Sequence, residues 1–422
     1  MRQKDILAQY RAPLICFTMN IPGPVKNSPL ILRAFREGLA LLNNDLPADA
    51  VLFREIHENA TGCEAFYAVN MPAPEIKNIC TAIEDATPMG RLFDMDVLAP
   101  DGNKLERKNQ RSCLVCGAPG RSCAARRSHS VEALQEQTSL RITEYFAKKD
   151  RETVSRLATN SLIKEVYITP KPGLVDCRNT GSHRDMDLST FIASANALTD
   201  YFAKCFAIGQ EQTGNIFPAL RTAGLEAEKA MYQATGGVNT HKGAIFTLGI
   251  LCGALGQLWT PENPSPAAEP LFQRCADLTK VSMDADLTGA DDSTAGLRLY
   301  RTTGISGIRG EAAAGFPSIF QTGLPAYEKA LAKGSSENDA GIYTLLTLIA
   351  QVEDTNLYHR GGKEGVNFAR AATKEVLDTG LTKNALEQLD DAFISRNLSP
   401  GGCADLLAAT LFLHSLQNVD IL

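Results

Sequence analysis

The stretch Ala234-Thr-Gly-Gly-Val-Asn-Thr-His-Lys-Gly-Ala-Ile-Phe246 joins a polar, glycine-rich turn to an apolar run that continues from Ala244 to Trp259. An apolar run of this length predicts a buried helix. A glycine-rich turn that enters a helix leaves backbone N–H groups and the positive end of the helix dipole facing outward. Because Lys242 and His241 add charge and proton-handling capacity there, the pattern favours binding of a polyphosphate.

The composition of the 422-residue chain limits its class. Hydrophobic residues at 44% and aromatic residues at 7% are typical of globular proteins, and the length allows two domains. A net charge of -6 counts against a nucleic-acid or membrane partner. The charged start predicts no signal peptide, and the glycine-interrupted run Ala244–Trp259 is too short to span a bilayer. Eleven cysteines then fit reduced thiols, so we expect a cytoplasmic enzyme.

The first 135 residues or so mix strand and helix patterns. Alternating or β-rich segments predict strands at Leu14–Met19, Val51–Ile56 and Cys63–Val69. Helical patterns lie between them at Leu30–Leu42 and Pro74–Ala86. This order predicts an α+β domain with one small mixed sheet.

Two carboxylates follow in the segment Gly90-Arg-Leu-Phe-Asp-Met-Asp-Val97. In a strand, Asp94 and Asp96 lie on one face and the apolar side chains between them lie on the other. Paired carboxylates of this kind suit Mg²⁺ in phosphoryl or nucleotidyl transfer, although an exposed polar strand face would look the same.

Cysteine and histidine ligand types come next, at Cys113, Cys116, Cys123 and His129. The set matches a structural Zn²⁺ site, although reduced cysteines without metal remain the alternative. The surrounding basic residues suit a solvated face, a polyanionic ligand or an acidic partner; they are Lys104, Arg107, Lys108, Arg111, Arg121, Arg126 and Arg127.

From Ser130 onward the pattern is almost wholly helical, with no Pro/Gly/Ser-rich linker. We therefore predict a larger all-α domain and place the boundary near residue 140, giving domains 1–140 and 141–422. After a helix over Ser130–Ile168, helical patterns cover 189–207, 224–234, 243–259, 269–283, 339–354, 363–378, 383–397 and 404–416.

The turns between these helices carry many chemical groups, and loops commonly carry functional sites. They include Thr169–Asp176, Gly181–Asp187, Gly289–Asp292, Gly307–Ala312, Glu353–Asn356, Arg360–Gly362 and Ser399–Asp405. His183 with Asp185 and Asp187 has the groups to bind a metal or sugar hydroxyls. Alone, each turn is a weak signal: a single His241 is more often structural, and Asp291-Asp292 fits a helix N-cap.

Glu353 follows Ile349 by four residues on the predicted core face of the helix 339–354. We therefore expect its carboxylate to be partly buried, which requires a partner or raises its pKa. This makes Glu353 a candidate acid, base or metal ligand, with a buried ion pair as the alternative.

Residues 160–416 resemble the triphosphoribosyl-dephospho-CoA synthase family. The matching stretches are Pro170–Asp176, His183–Asp187, Ala234–Phe246, Gly307–Pro317, Glu353–Asn356 and Ser399–Asp405, with Cys403 standing where a small residue such as Ser is expected. The first half resembles the apo-citrate lyase phosphoribosyl-dephospho-CoA transferase family, through Asn20–Lys26, Gly90–Val97 and Arg111–His129.

The resemblance implies two consecutive reactions. The helical domain would join ATP to 3'-dephospho-CoA, releasing adenine and giving 2'-(5''-triphosphoribosyl)-3'-dephospho-CoA. The first domain would transfer the phosphoribosyl-dephospho-CoA part to a serine of the citrate lyase acyl carrier subunit, releasing pyrophosphate.

The resemblance also extends the set of candidate residues. For acid–base work or Mg²⁺ ligation in the second domain the set is Asp185, Asp187, His241, Glu311, Glu353 and Asp354. For substrate and phosphate binding there it is Lys171, His183, Gly236, Gly237, Asn239, Lys242, Arg309 and Arg360. In the first domain, substrate binding falls to Asn20, Lys26, Arg91 and Arg111, with Mg²⁺ at Asp94 and Asp96.

Three alternatives stay open at this stage. The prosthetic group could serve malonate decarboxylase, the Cys/His cluster could belong to a zinc-containing binding protein without turnover, or the chain could hydrolyse ATP to adenine as a nucleosidase.

Overall fold

The computed structural model describes residues 2–288 and 295–418. The chain folds as two compact units. Unit 1 comprises the chain up to Lys149 together with Thr260–Glu262, and unit 2 comprises Asp150–Trp259 and the chain from Asn263 onward. The predicted turn Gly289–Asp292 lies outside the described residues.

Unit 1 is built round a four-stranded sheet whose pairings are all antiparallel, in the order β2-β3-β1-β4. The strands are β1 (Leu14–Met19), β2 (Val51–Asn59), β3 (Gly62–Val69) and β4 (Phe93–Leu98). The three strand predictions are confirmed, and the segment that carries Asp94 and Asp96 forms the fourth strand. Four helices complete the unit before the long helix described below: α1 (Arg2–Tyr10), α2 (Pro29–Asp45), α3 (Ala73–Ala86) and α4 (Gly120–Arg126).

Helix α2 shows how the sequence specifies this packing. Ser28 caps the helix by accepting a hydrogen bond from the N–H of Ile31, and a proline follows at the first helical position. Phe17 of the sheet stacks on Phe35 of α2 with ring centroids 4.9 Å apart. A Cβ at Gly38 would collide with the Phe17 ring, so the glycine lets the helix lie close to the sheet.

Strand β4 alternates as predicted, because Phe93, Met95 and Val97 are buried while Asp94 and Asp96 are only partly buried. Asp94 pairs with Thr18 and Asp96 with Cys16 across β1, so the two carboxylates share one sheet face.

Helix α5 (Val131–Tyr167) confirms the long helix predicted over Ser130–Ile168. Unit 2 is all-α, which confirms the predicted fold class. Its described helices after α5 are α6 (Leu188–Ala197), α7 (Thr199–Glu211), α8 (Phe217–Ala234), α9 (Lys242–Leu258), α10 (Ala268–Thr288), α11 (Ala295–Thr303), α12 (Gly307–Ala313), α13 (Leu324–Ala332), α14 (Glu337–Gln351), α15 (Thr355–Thr379), α16 (Lys383–Ser395) and α17 (Gly401–Asn418).

The apolar run Ala244–Trp259 forms most of α9, which is buried along most of its length. A helix that is apolar on all sides belongs in the middle of a helical core. Two glycines that interrupt the run face α7: a Cβ at Gly249 would overlap the Tyr201 hydroxyl, and one at Gly256 would overlap the carbonyl of Phe206. They therefore permit close contact between these two helices. No helix in the described part of the chain is long and apolar enough to cross a membrane.

Two helix predictions are wrong. The segment 189–207 forms two helices rather than one, because the N–H of Leu198 bonds to Ala195 three residues back and a new helix starts at Thr199. The predicted turn Gly307–Ala312 instead forms α12, and a π-helical turn over Ser318–Gly323 and α13 follow where the pattern predicts no helix. Burial of residues such as Phe316 and Ile319 stabilises helix there despite a poor local pattern.

Candidate functional site

A cavity of about 490 Å³ in unit 2 collects side chains from turns that are far apart in the sequence. Of the predicted site residues, it is lined by Lys171, His183, Asp185, Asn239, Lys242, Arg309 and Arg360. Residues that sequence reasoning did not select also line it, notably Glu165, Thr240, His359, Ser399 and Asp405. We call it the helical-domain cavity.

Three side chains form one wall of this cavity through a hydrogen-bond chain. Nε2 of His183 lies 2.9 Å from Oγ of Ser399, and Nη2 of Arg360 lies 3.3 Å from Nδ1 of His183. Since the guanidinium can only donate, Nδ1 accepts and Nε2 carries the proton. Burial and the charge of Arg360 lower the pKa of His183, so the imidazole is neutral.

Lys171 and Glu165 form a buried ion pair in the cavity wall. Nζ of Lys171 lies 2.5 Å from Oε1 of Glu165 and also donates to the Glu165 carbonyl. The two residues are 1% and 4% exposed. Burial raises the pKa of Glu165, although the lysine charge opposes the shift. Because its charge is compensated inside the protein, Lys171 positions the wall and is a poor phosphate ligand.

Asp405 lies at the N-terminus of α9, where its carboxylate accepts the N–H of Ala244. A Cβ at Gly243 would overlap this carboxylate, so only glycine leaves room for it. Burial raises the pKa of Asp405 well above its ordinary value, and the negative charges of Glu165 and Asp354 add to the shift. Asp405 therefore combines a place in the cavity wall with a carboxyl group that holds its proton unusually tightly.

Two cations of the cavity, Lys242 and Arg309, have acidic neighbours at moderate distance. Nζ of Lys242 lies 2.9 Å from Glu228, and its side chain is 51% exposed. Nε of Arg309 lies 3.8 Å from Asp286. Partly exposed pairs of this kind are weak, so both cations are available to an anionic ligand.

His241 does not line the helical-domain cavity. It is 3% exposed, its Nδ1 lies 2.7 Å from Oγ of Ser194, and its Nε2 has no hydrogen-bond partner among the described residues. Burial, with a smaller effect of Lys171, lowers its pKa to about 3. The imidazole is thus neutral, and the charge expected there is absent.

Gly236 and Gly237 do not line the cavity either, contrary to the predicted phosphate cradle. Both have positive φ, at 66° and 95°, and the N–H of Gly237 bonds to the carbonyl of Tyr232. This geometry ends α8 in a left-handed turn. The glycine pair is explained by helix termination, and Asp405 occupies the start of α9 instead of leaving it open.

Two other candidate carboxylates act as caps. Asp187 caps α6, and hydrogen bonds from Ser189 and Thr190 lower its pKa to about 2. Both carboxylate oxygens of Glu311 accept bonds from Ser318, at 2.6 and 3.1 Å. Burial raises the pKa of Glu311. The structure therefore gives each of them a local role outside the cavity lining.

The prediction that Glu353 is buried is wrong. Helix α14 ends at Gln351 and Val352 is extended, so Glu353 leaves the helical face and is exposed. The neighbouring Asp354 is 3% exposed and accepts from the N–H groups of Asn356, Leu357 and Cys403. Burial raises the pKa of Asp354, which joins the start of α15 to α17.

Unit 1 has its own cavity, of about 850 Å³. Of the predicted residues, it is lined by Asn20, Arg91, Asp94, Asp96, Arg111, Cys113, Cys123 and His129, whereas Lys26 does not line it and donates to the carbonyl of Ile21. Lys104 lies 2.5 Å from Asp96, and Arg111 lies 3.4 Å from Asp94. Both carboxylates are thus held in ion pairs at the cavity wall.

This cavity is rich in positive charge. Burial lowers the pKa of Arg91, and the charges of Arg111, Arg107 and Arg141 lower it further. Nη1 of Arg91 is buried without a hydrogen-bond partner among the described residues. Mutually repelling guanidinium groups beside a cavity favour a multiply charged anion.

The predicted zinc ligands meet in the same unit. One ligand atom from each of Cys113, Cys116, Cys123 and His129 lies within 4.8 Å of the others. Sγ of Cys116 lies 3.5 Å from Sγ of Cys123 and 3.2 Å from Nε2 of His129. The four ligands lie close together in sequence, and a tight turn at Cys113–Gly117 followed by the short helix α4 brings their side chains together.

Comparison with known proteins shows which families match the two halves of the chain. A family model described as ATP:dephospho-CoA triphosphoribosyl transferase matches residues 151–421, and one described as apo-citrate lyase phosphoribosyl-dephospho-CoA transferase matches residues 1–145. The chain belongs to both families. It is a fusion of the two transferases, and its function is to make and attach the prosthetic group of citrate lyase.

Two similar proteins match this chain over nearly its whole length, and a third matches the part that carries the helical domain. The protein CitXG of Haemophilus influenzae is 36% identical over 99% of this chain and 93% of its own length. The protein CitXG of Leuconostoc mesenteroides subsp. cremoris is 31% identical over 98% of this chain and 94% of its own length. A probable 2-(5''-triphosphoribosyl)-3'-dephosphocoenzyme-A synthase of Vibrio cholerae is 44% identical over 63% of this chain and 88% of its own length.

These matches decide between the alternatives left by the sequence. The fused transferase half matches the citrate lyase family rather than supporting a role with malonate decarboxylase, and a binding protein without turnover does not fit two transferase families.

Proposed function

We propose that the helical-domain cavity joins ATP to 3'-dephospho-CoA, in a domain that spans 141–422 with the attaching activity in 1–140. The observation that supports this most directly is the convergence of Asp405, His183, Lys242 and Arg309 on one cavity of the unit that matches the synthase family. Glycosyl transfer from ATP needs a base near the attacking hydroxyl and cations near the triphosphate.

We propose Asp405 as the base. The 2'-oxygen of dephospho-CoA forms a bond to C1' of the ATP ribose, while the bond from C1' to adenine breaks and its electron pair leaves with adenine. Asp405 takes the proton of the hydroxyl, and adenine takes up a proton as it departs. Burial raises the pKa of Asp405, so its carboxylate is a stronger base than that of an ordinary aspartate, which suits this step.

Lys242 and Arg309 would hold phosphates of both substrates, the triphosphate of ATP and the diphosphate of dephospho-CoA. Glu165, Asp185 and Asp405 all line this cavity, but among the described residues no three possible ligands come close enough there to hold a metal, so no complete protein site for Mg²⁺ is built. Mg²⁺ commonly enters with substrate phosphates and uses one or two carboxylates of the protein. Asp185, which is exposed at the cavity wall, is the carboxylate that we propose for this role.

Adenine release from ATP and Mg²⁺, followed by chromatography with and without 3'-dephospho-CoA, tests this proposal. Release that requires dephospho-CoA is the expected result. Release without the acceptor would identify a nucleosidase, and no release in either case would contradict the proposed reaction.

Glu353→Gln should leave dephospho-CoA-dependent adenine release within about twofold of the wild type, since exposed substitutions away from a site have small effects. The physical reason is that Glu353 is exposed and does not line the cavity. A loss of tenfold or more, measured with both substrates saturating, would show that Glu353 takes part in the reaction despite its position.

For unit 1 we propose transfer to the acyl carrier subunit of citrate lyase. The hydroxyl oxygen of the carrier serine forms a bond to the α-phosphorus of the triphosphoribosyl group, while the bond from that phosphorus to pyrophosphate breaks. Pyrophosphate leaves with the electron pair, and the serine proton passes to solvent. Asp94 and Asp96 would exchange their ion pairs for Mg²⁺ on the leaving group, and Arg91 and Arg111 would bind its phosphates. The buried, unpartnered Nη1 of Arg91 supports this assignment because it lacks an acceptor inside the protein.

We also propose that Cys113, Cys116, Cys123 and His129 hold one structural Zn²⁺. Three sulfur ligands and one nitrogen ligand form a closed tetrahedral set. The ion would fix the segment that carries Arg111 and part of the wall of the unit 1 cavity.

Purified protein should contain about one zinc ion per chain, as a closed four-ligand set requires. Cys116→Ser combined with Cys123→Ser should abolish zinc retention and lower the melting temperature, as measured by metal analysis and calorimetry. Cys177→Ser is the control, since Cys177 is exposed and outside the cluster. A wild-type protein that neither retains nor takes up zinc would contradict the proposal.

We place these reactions in the cytoplasm. All eleven cysteines are free, as a reducing compartment would keep them. Export of a reporter fusion would contradict this placement.

A further inference from the structure

A second cavity, of about 300 Å³, adjoins the helical-domain cavity, and we call it the apolar annex. The two cavities share four lining residues, Lys242, Gly243, Ile308 and Arg309. The annex is otherwise walled mainly by apolar side chains of α7, α8 and α9, among them Tyr201, Phe217, Leu220, Ile245, Phe246 and Ile250. Leu225 lines it too and is 57% exposed.

Arg221 and the acidic groups of the annex already have partners of opposite charge. Arg221 lies 2.5 Å from Asp286, which lies 3.8 Å from Arg309, and Glu228 pairs with Lys242. The apolar wall residues sit within helices, so their backbone groups are used in helical hydrogen bonds. The annex therefore offers a ligand apolar contacts but few free hydrogen-bonding groups. This suits a flexible chain better than a purine base, whose ring nitrogens need hydrogen-bond partners.

Three kinds of lining follow one another along the two cavities. The helical-domain cavity contains Asp405, the cations Lys242 and Arg309 lie where the two cavities meet, and the apolar annex follows. The acceptor 3'-dephospho-CoA has the same order: a ribose with the attacking hydroxyl, a diphosphate, and the pantetheine arm. We propose that the apolar annex binds the pantetheine arm of the acceptor. This inference rests on the proposed function of the helical-domain cavity.

Gly224 of α8 provides a way to fill the annex. It lines the annex, and a Cβ built there would have its nearest contact at 3.5 Å, with the Tyr201 hydroxyl. A side chain at this position therefore meets open space rather than a clash. Alanine and leucine both favour helix over glycine, so neither Gly224→Ala nor Gly224→Leu should unfold α8.

Gly224→Leu should raise KM for 3'-dephospho-CoA at least about tenfold, because several buried apolar groups of the arm lose their place. KM for ATP should not change. Gly224→Ala, which alters the backbone similarly but fills little of the annex, is the control. ADP, an acceptor that lacks the arm, should be used equally well by the wild type and by Gly224→Leu.

An unchanged KM for dephospho-CoA in Gly224→Leu would overturn the inference, and a raised KM for ATP instead would assign the annex to the adenine of ATP. If the wild type shows no turnover, the proposed reaction fails, and equilibrium binding still tests the annex. The inference then requires the wild type to bind dephospho-CoA more tightly than ADP and Gly224→Leu to lose that difference.

Discussion

Asp405→Asn should lower dephospho-CoA-dependent adenine release by about 10²- to 10⁴-fold, the usual range for loss of a general base. The asparagine oxygen can still accept the N–H of Ala244, so the start of α9 is preserved. The substitution also removes a negative charge that Glu165 and Asp354 repel. The melting temperature should therefore stay unchanged or rise, and the loss should be confined to the rate.

The pH profile gives a second readout of the same role. Because the base must be unprotonated, kcat/KM should fall as the pH drops through the raised pKa of Asp405, well above the ordinary carboxyl value of about 4. The residual activity of Asp405→Asn should not show this fall of kcat/KM at low pH.

Asp391→Asn is the matched control, since the Asp391 side chain is 70% exposed and does not line the cavity. It should behave like the wild type. Adenine release by Asp405→Asn within threefold of the wild type would remove Asp405 from the mechanism.

Asp94→Asn combined with Asp96→Asn should lower carrier loading at least about 100-fold, because several kcal/mol of metal-borne charge stabilisation would be lost. The measurement is mass spectrometry of the apo-acyl carrier subunit incubated with preformed 2'-(5''-triphosphoribosyl)-3'-dephospho-CoA. The two ion pairs that are lost are partly exposed, so the fold should be retained.

The loading defect should leave the other reaction intact. Adenine release by Asp94→Asn/Asp96→Asn should match the wild type, because the proposed synthase residues all lie in unit 2. Asp101→Asn is the control for charge, since Asp101 lies in an exposed turn where it bonds to Asn103. Full loading by the double variant would contradict a metal role for this pair.

The local sequence pattern is sufficient to predict an element where burial of its apolar side chains dominates its stability. The alternation of Phe93, Met95 and Val97 with Asp94 and Asp96 predicts β4 and its polar face, because a strand buried on one face imposes a period of two. The all-apolar stretch before Trp259 predicts the central helix α9 for a similar reason. The Cys/His set was predicted from ligand types alone, and the fold brings those atoms together.

Local pattern failed where a residue serves a helix end. Gly236-Gly237 has the sequence of a phosphate-binding turn, yet the pair ends α8. Glu353 continues the heptad-like spacing of α14, yet the helix stops two residues earlier. The same residue types satisfy orphan backbone groups and bind ligands, so sequence cannot separate the two uses.

The sequence by itself determined the order of a small α+β domain and a larger helical domain, the two families, and most of the turns that meet at the cavities. Only the tertiary structure decided which polar groups line a cavity and which are consumed as caps or buried pairs. Glu165 and Asp405 lie 240 residues apart in the chain, and neither is among the candidate residues named from the sequence, although Asp405 closes the predicted turn Ser399–Asp405. The effect of the Glu165 charge on the pKa of Asp405 arises only when α5 and α17 come together, because electrostatic interaction depends on distance in space rather than on spacing along the chain.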